Sequence, residues 1–234
     1  MTHTNTPADT FDSSAAERAA TVSIGVLGGT GPQGLGLARR LAMAGNPVVL
    51  GSRSAERAGI AAAPLAEAGL PVSGADNAGA AGADVVIVAV PYEGHSDLLV
   101  SLRTELAGKI VVDCVNPLGF DKQGSYALAV PAGSAAQEAA LVLPDSTVVA
   151  AFHHLSAVLL ADPEIDRIET DVLVLGDDRA ATDLVQALTD RIPGMRGIYA
   201  GRLRNASQVE ALTANLISVN RRYKAHAGLR ITDV

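Results

Sequence analysis

Val22-Ser23-Ile24-Gly25-Val26-Leu27-Gly28-Gly29-Thr30-Gly31-Pro32-Gln33-Gly34 reads as a buried strand, a glycine-rich turn and the start of a helix. Gly29, Gly31 and Gly34 form a G-x-G-x-x-G pattern directly behind the apolar run 22–27. Residues 33–44 continue with helical periodicity that stops at Gly45, and 47–50 reads as a second strand. Three glycines alone say little. Closing a strand and opening a helix inside a βαβ unit of about thirty residues, they match the fingerprint of a dinucleotide-binding turn. Gly29 is expected to permit the tight turn, Gly31 to let backbone N–H groups approach a pyrophosphate, and Gly34 to let helix and strand pack closely.

The end of the second strand indicates which dinucleotide. An NAD site places a carboxylate there, about twenty residues beyond the glycines, to bind the ribose 2′-hydroxyl. This chain instead reads Gly51-Ser52-Arg53-Ser54-Ala55-Glu56-Arg57. Arg53 supplies a planar charged fork and Ser52 a hydroxyl donor, the chemistry that suits a 2′-phosphate. Arg57, one helical turn on, is a candidate for the same phosphate. The expected cofactor is therefore NADP(H).

Outward from this unit the alternation continues: helix at 55–68, strands at 70–73, 85–90 and 109–114, a loop with a helix at 134–141, then a strand at 148–152. A strand at 172–175 and helices at 179–191 and 202–227 complete the chain. The expected fold class is α/β, a Rossmann-type doubly wound, mostly parallel sheet with a small α/β carboxyl-terminal domain. The expected divisions are an amino-terminal tail at 1–20, an NADP-binding Rossmann domain at 21–157, and a smaller domain at 158–234 that completes the cleft. Apolar residues at 209, 212, 216, 219 and 223 make a stripe on the last helix that either docks on the sheet or pairs with a second subunit, so a homodimer is expected.

Composition limits the partners. The chain has 234 residues and a formal charge of −7, which disfavours general binding to nucleic acid or anionic membrane. No apolar run approaches the roughly 18 residues of a membrane helix, the first twenty residues hold no signal-like core, and Cys114 is the lone cysteine. These features are read as those of a soluble, cytoplasmic protein whose partners are small redox molecules.

In open α/β sheets, ligands bind beyond the carboxyl ends of the strands. Val90-Pro91-Tyr92, Val115-Asn116-Pro117 and Phe152-His153-His154-Leu155-Ser156-Ala157 fall at such ends. Asn116 is a candidate to bond the nicotinamide or its ribose, with an ordinary loop role as the alternative. His153 and His154 suggest a metal site or an acid, but neighbours on a strand face opposite ways and no zinc-like spacing accompanies them. No metal is expected. His95 is expected at the start of the helix after Pro91, and Cys114 is read as a small buried residue.

Taken together, Leu27-Gly28-Gly29-Thr30-Gly31, Gly51-Ser52-Arg53, Val90-Pro91-Tyr92-Glu93, Lys109-Ile110-Val111-Val112, Gly176-Asp177-Asp178 and Val209-Glu210-Ala211-Leu212-Thr213 resemble the NADP-dependent oxidoreductases of the deazaflavin coenzyme F420. The resemblance runs from Val22 almost to the end of the chain. It implies reversible hydride transfer between NADP(H) and F420, stacked in a cleft between the domains. It further implies that Thr30, Gly31, Pro32 and Gln33 hold the pyrophosphate, Ser52, Arg53 and Arg57 the 2′-phosphate, and Val90, Asn116 and Ala157 the nicotinamide surroundings. Direct hydride transfer depends on the cofactors' own reactivity and on their positioning, so no catalytic side chain is expected. Asn116-Pro117, His153-His154 and the amino-terminal tail depart from archaeal members of that family.

Two other readings share the Rossmann half: an NADP-dependent imine or hydroxyacid reductase, which would need a proton donor, and a non-catalytic NADP(H)-sensing protein. The cofactor assignment has a direct test. Arg53→Ala is expected to weaken NADPH by roughly 1.5–3 kcal/mol while barely changing NADH, measured by titrating each nucleotide; an equal loss for both would refute the 2′-phosphate role.

Overall fold

The computed structural model describes residues 13–234. In chain order the elements are α1 (Ser13–Thr21), β1 (Ile24–Leu27), α2 (Pro32–Met43), β2 (Val48–Ser52), α3 (Ala55–Glu67), β3 (Val72–Asp76), α4 (Asn77–Ala81), β4 (Val85–Val88), α5 (His95–Ser101), β5 (Ile110–Asp113), β6 (Leu118–Asp121), β7 (Gly124–Ala127), α6 (Ala135–Val142), β8 (Thr147–Ala150), α7 (Ala157–Ala161), β9 (Thr170–Gly176), α8 (Arg179–Asp190), β10 (Met195–Gly201) and α9 (Ala206–Tyr223). Eight strands form one sheet in the order β10-β9-β8-β5-β4-β1-β2-β3, while β6 and β7 form a separate hairpin. From β3 to β8 every pairing is parallel; β9 runs antiparallel to β8, and β10 is parallel to β9. This is a Rossmann-type, mostly parallel sheet.

The central strands are apolar on both faces because each face carries helices. Along β4, Val85 and Ile87 enter the core shared with α1, α2, α3, α7 and α8, while Val86 and Val88 enter the core shared with α4, α5, α6 and α9. Small residues make these layers close. A Cβ on Gly74 would lie 2.3 Å from the Ala58 carbonyl carbon, so α3 rests almost directly on β3.

Several expectations change. Of the expected tail, residues 1–12 lie outside the described residues, but 13–20 belong to α1, whose Ala15 and Ala19 are buried in the core. The segment 158–234 builds no sheet of its own, since β9 and β10 extend the first one. The β6–β7 hairpin, α7 and β10 are absent from the sequence expectation; Gly197 and Gly201 interrupt the apolar pattern of β10. Gly197 is needed there because a Cβ would come within 2.4 Å of the Gln186 backbone in α8.

One buried cation ties the two halves. Arg40, on the inner face of α2 and 2% exposed, donates to the carbonyls of Leu159 (2.6 Å), Leu160 (3.0 Å), Asp162 (2.8 Å) and Ile165 (2.5 Å). The guanidinium thereby satisfies the carbonyls at the end of α7, which a five-residue helix leaves open. Arg40→Met is expected to destabilise the protein by about 2–4 kcal/mol, since four carbonyls, one of them fully buried and three half-buried, lose their donor, and urea unfolding measures it.

Candidate functional site

The carboxyl ends of the parallel strands open onto a crevice where the strand order reverses, between β1 and β4. The fingerprint turn sits on its floor. The left-handed conformation falls on Gly28 (φ 71°), one residue before the expected Gly29. Gly29 instead makes a close contact, since a Cβ there would lie 2.8 Å from both the Leu50 side chain and the Val26 carbonyl oxygen. Gly34 has the expected packing role, with a would-be Cβ 2.9 Å from the Gly28 carbonyl oxygen. A Cβ on Gly31 meets only the Gly28 oxygen, at 3.4 Å, which leaves open space in front of the α2 N-terminus. That space suits a pyrophosphate, because Gly31 caps α2 without a side chain and Pro32 occupies its first turn.

Beside this turn lies a cleft of about 460 Å³ walled by Ser52, Arg53, Asp76, Asn77, Asp97 and neighbouring residues of α5. Ser52 is buried at the end of β2, and Arg53 is exposed just beyond it. Ser54 caps α3 by accepting from the Arg57 amide, which sets Arg57 on the exposed first turn. Asn77 Oδ1 is buried without a hydrogen-bond partner in the protein and lies against Gly51. The cationic fork of Arg53 beside the Ser52 hydroxyl suits the phosphate of a phosphoadenosine moiety at this opening.

On the far side of β1, three loops meet. Asn116, after β5, donates to the His153 carbonyl (2.8 Å), and Gln33 of α2 donates to the Phe152 carbonyl (3.2 Å). Thr213 of α9 donates to the same His153 carbonyl (3.1 Å), with Asn116 Oδ1 at 3.3 Å. Phe152 adopts φ 64°, an uncommon backbone for a bulky residue, and this turns the chain after β8 so that successive carbonyls face these donors. Ala157 begins α7 behind Ser156, whose hydroxyl caps the helix. Val90 is half-buried, and its side chain lies where a Cβ on Gly28 would fall (2.7 Å). Gln33 and Asn116 thus meet at the loop after β8 and Val90 stands against Gly28, while Ser52 and Arg53 lie at the end of β2 on the opposite side of β1.

The histidines do not share one role. His95 opens α5 as expected, but it is fully buried, with Nε2 2.5 Å from Asp113 and Nδ1 3.5 Å from Glu138. Burial works against its charge, yet Asp113 and then Glu138 outweigh burial and hold its pKa above the ordinary imidazole value. His153 and His154 are both buried, in the turn after β8 rather than on the strand, so strand alternation does not separate them. Burial pulls each down to about 4, against partial opposition from Asp113 for His153, so both are neutral at pH 7. Burial pushes the Cys114 thiol up, and its Sγ sits 3.0 Å from the Val88 carbonyl, a packing residue. Among the described residues, no three His, Cys, Asp or Glu side chains gather to hold a metal ion.

In the sequence, only the resemblance at Val209–Thr213 marks Glu210. It is buried, and its carboxylate accepts from the Ala135 and Ala136 amides at the start of α6 (3.0 and 3.1 Å). A glutamate with apolar neighbours on a helix was the only local signal, and it does not disclose a partner 75 residues away.

A fold of this order with a glycine turn and a phosphate-ready cleft defines a dinucleotide-binding Rossmann protein. Residues 23–117 match the family model described as NADP oxidoreductase, coenzyme F420-dependent. The chain is 41% identical over 223 residues to the F420-dependent NADP reductase of Methanothermobacter marburgensis, covering 91% of this chain and 99% of the relative. It is 38% identical to the reductase of the same name from Methanocaldococcus jannaschii, with the same coverage. Among solved structures, a putative F420-dependent NADP reductase from Arthrobacter sp. FB24 superposes with a TM-score of 0.76 at 28% identity, covering 90% of this chain and 99% of that one. An imine reductase from Myxococcus stipitatus shares the fold alone, at a TM-score of 0.62 and 18% identity over 87% of this chain and 63% of its own. The chain belongs to the F420-dependent NADP oxidoreductase family.

The glycines give a paired test. Gly31→Ala is expected to leave the unfolding midpoint nearly unchanged while weakening NADPH binding about tenfold or more, because its Cβ intrudes only on the pyrophosphate space. Gly34→Ala is expected to cost about 1–3 kcal/mol of stability, because its Cβ meets backbone. Calorimetry and nucleotide titration of both variants measure the contrast, and equal behaviour would refute the division of roles.

Proposed function

We propose that the protein transfers a hydride reversibly between NADP(H) and the deazaflavin coenzyme F420. The observation that carries the reading is Arg53 and Ser52 at the end of β2, next to the Gly28–Gly34 turn whose Gly29 amide donates to the Gly51 carbonyl, in a chain so similar throughout to F420-dependent NADP reductases. When bound, NADPH supplies the hydride and the oxidised deazaflavin accepts it, with one proton taken from solvent to complete the reduction. The residues of the chain bind and orient. Gly29, Thr30, Gly31, Pro32 and Gln33 hold the pyrophosphate at the α2 N-terminus, and Ser52, Arg53 and Arg57 hold the 2′-phosphate. Val90, Asn116 and Ala157 border the nicotinamide, with Asn116 fixed by its bond to the His153 carbonyl.

In this reading residues 21–157 carry the nucleotide and 158–234 close the other side of the cleft. The last helix supports a homodimer: Val209 is buried, but farther along the stripe Val219 is 37% and Tyr223 73% exposed, which leaves apolar surface for a second copy. A cytoplasmic site of action belongs to this reading, and it agrees with a lone cysteine, Cys114, that is buried and free. No helix among the described residues is long and apolar enough to cross a membrane. The imine or hydroxyacid alternative has less support. Its candidate proton donor, Lys224, lies beyond α9 in a left-handed cap and is exposed. A purely NADP(H)-sensing protein remains the other outcome of the test.

Mixing the protein with NADPH and oxidised deazaflavin, with NADH and a flavin as controls, is expected to give NADPH-selective loss of deazaflavin absorbance. Tight NADPH binding without deazaflavin reduction would overturn the reaction while leaving the cofactor assignment standing.

A further inference from the structure

The carboxylate of Glu210 is buried at the meeting of two helices, and both of its oxygens are used. Oε2 accepts from the Ala135 amide and Oε1 from the Ala136 amide, while Ser134 caps the next open amide of α6, that of Gln137. All three first-turn donors of α6 are thereby satisfied, two of them by a residue of another helix. One turn farther along α9, Thr213 donates to the His153 carbonyl and approaches Asn116. The next residue's carbonyl, on Ala214, accepts from Ser125 of the hairpin. The clamp at Glu210 thus sets the rotation and height of α9 at the point where that helix reaches the crevice.

We propose that Glu210 is a positioning residue for hydride transfer, its carboxylate pinning α9 to the N-terminus of α6 so that Thr213 holds Asn116 and the His153 carbonyl in register at the nicotinamide end. This rests on the reading of the crevice given above. A carboxylate is required rather than any polar group of that size. Both partners are N–H donors, so a carboxamide or a protonated carboxyl turns a donor toward a donor and keeps only one of the two bonds.

The clamp is sensitive to pH. Glu210 faces Asp113 and His95 across the core, Tyr92 and Glu138 share that cluster, and burial is the largest influence on it. Burial raises its pKa to about 7, with Asp113 adding to the rise and the two amides and His95 opposing it. The sign follows. A carboxyl raised above its ordinary value stabilises the fold below that ordinary value, and the contribution is lost as pH rises through about 7. Acid therefore favours the protonated group in the folded protein while loosening the clamp, so activity and this group's share of stability move in opposite directions.

The test compares the full-length protein with Glu210→Gln by amide exchange and by NADPH-dependent deazaflavin reduction across neutral pH. At about pH 8 the variant is expected to exchange the Ala135 and Ala136 amides about tenfold faster and to lose about tenfold in kcat, with NADPH affinity changed less than about twofold. The native protein's kcat is expected to fall on the acid side of pH 7, and the variant's profile to lack that limb. Unchanged exchange and kcat in the variant would overturn the proposal. So would lowered activity with the acid limb intact, which is what a merely structural glutamate gives. Should the native protein reduce no deazaflavin, the functional reading falls, and exchange at Ala135 and Ala136 still decides the clamp: faster in the variant upholds it, unchanged refutes it.

Discussion

The first turn of α2 rests on the turn before it with no room for a methyl group between Gly34 and the Gly28 carbonyl. That contact sets how near the helix stands to β1, and so where its free amides point. It also brings Gln33 within reach of the Phe152 carbonyl, linking the pyrophosphate end of the crevice to the loop after β8. The rest of α2 then follows in place. Gly36 lets Leu160 approach, and Arg40, one turn later, collects the carbonyls at the end of α7.

Aromatic residues make up only 3% of the chain, so few large rings are available to lock its loops. Buried polar groups serve instead. Arg40 holds the segment after α7, Glu210 holds α9 to α6, and His95 with Asp113 ties α5 to β5. At the far edge, Asp171 of β9 receives Arg196, Arg230 and the Ile231 amide, which lash the carboxyl terminus across the sheet. Arg196 foremost holds that carboxyl far below the usual range. Arg40, Glu210 and Asp171 each have several hydrogen-bond partners, the condition under which a buried charge is tolerated. An alanine- and glycine-rich interior packs backbones closely, and specificity comes from where these polar ties are made.

The elements read well from sequence were those with a strong period or with punctuation: β1, α2, β2, α3, β4, β5 and α8 all appear within a few residues of expectation. The errors have identifiable causes. The β6–β7 hairpin and β10 are rich in glycine, which suppresses the apolar alternation that marks a strand. Helix α1 was hidden by polar residues, since only Ala15 and Ala19 face inward and alanine carries little signal. Among the site residues, the turn, Ser52 and Arg53 were visible because one strand-turn-helix unit contains or adjoins them. Thr213 and Glu210 were visible only as part of a resemblance, because their partners lie 60 to 97 residues away.

The sequence by itself determined the strand–turn–helix with its three glycines, the basic residue in place of a carboxylate after β2, and the alternation that demands a parallel sheet. Each is local, and short-range sterics and periodicity are sufficient to specify it. Tertiary structure alone decided that β9 turns antiparallel and joins the same sheet, that Gly28 rather than Gly29 bears the left-handed turn, and that two adjacent histidines are both buried. It alone brought Asn116, the His153 carbonyl and Thr213 together, with Glu210 behind them. Such meetings depend on which helix faces find room against which strands, a packing choice made by the whole core and written in no single segment.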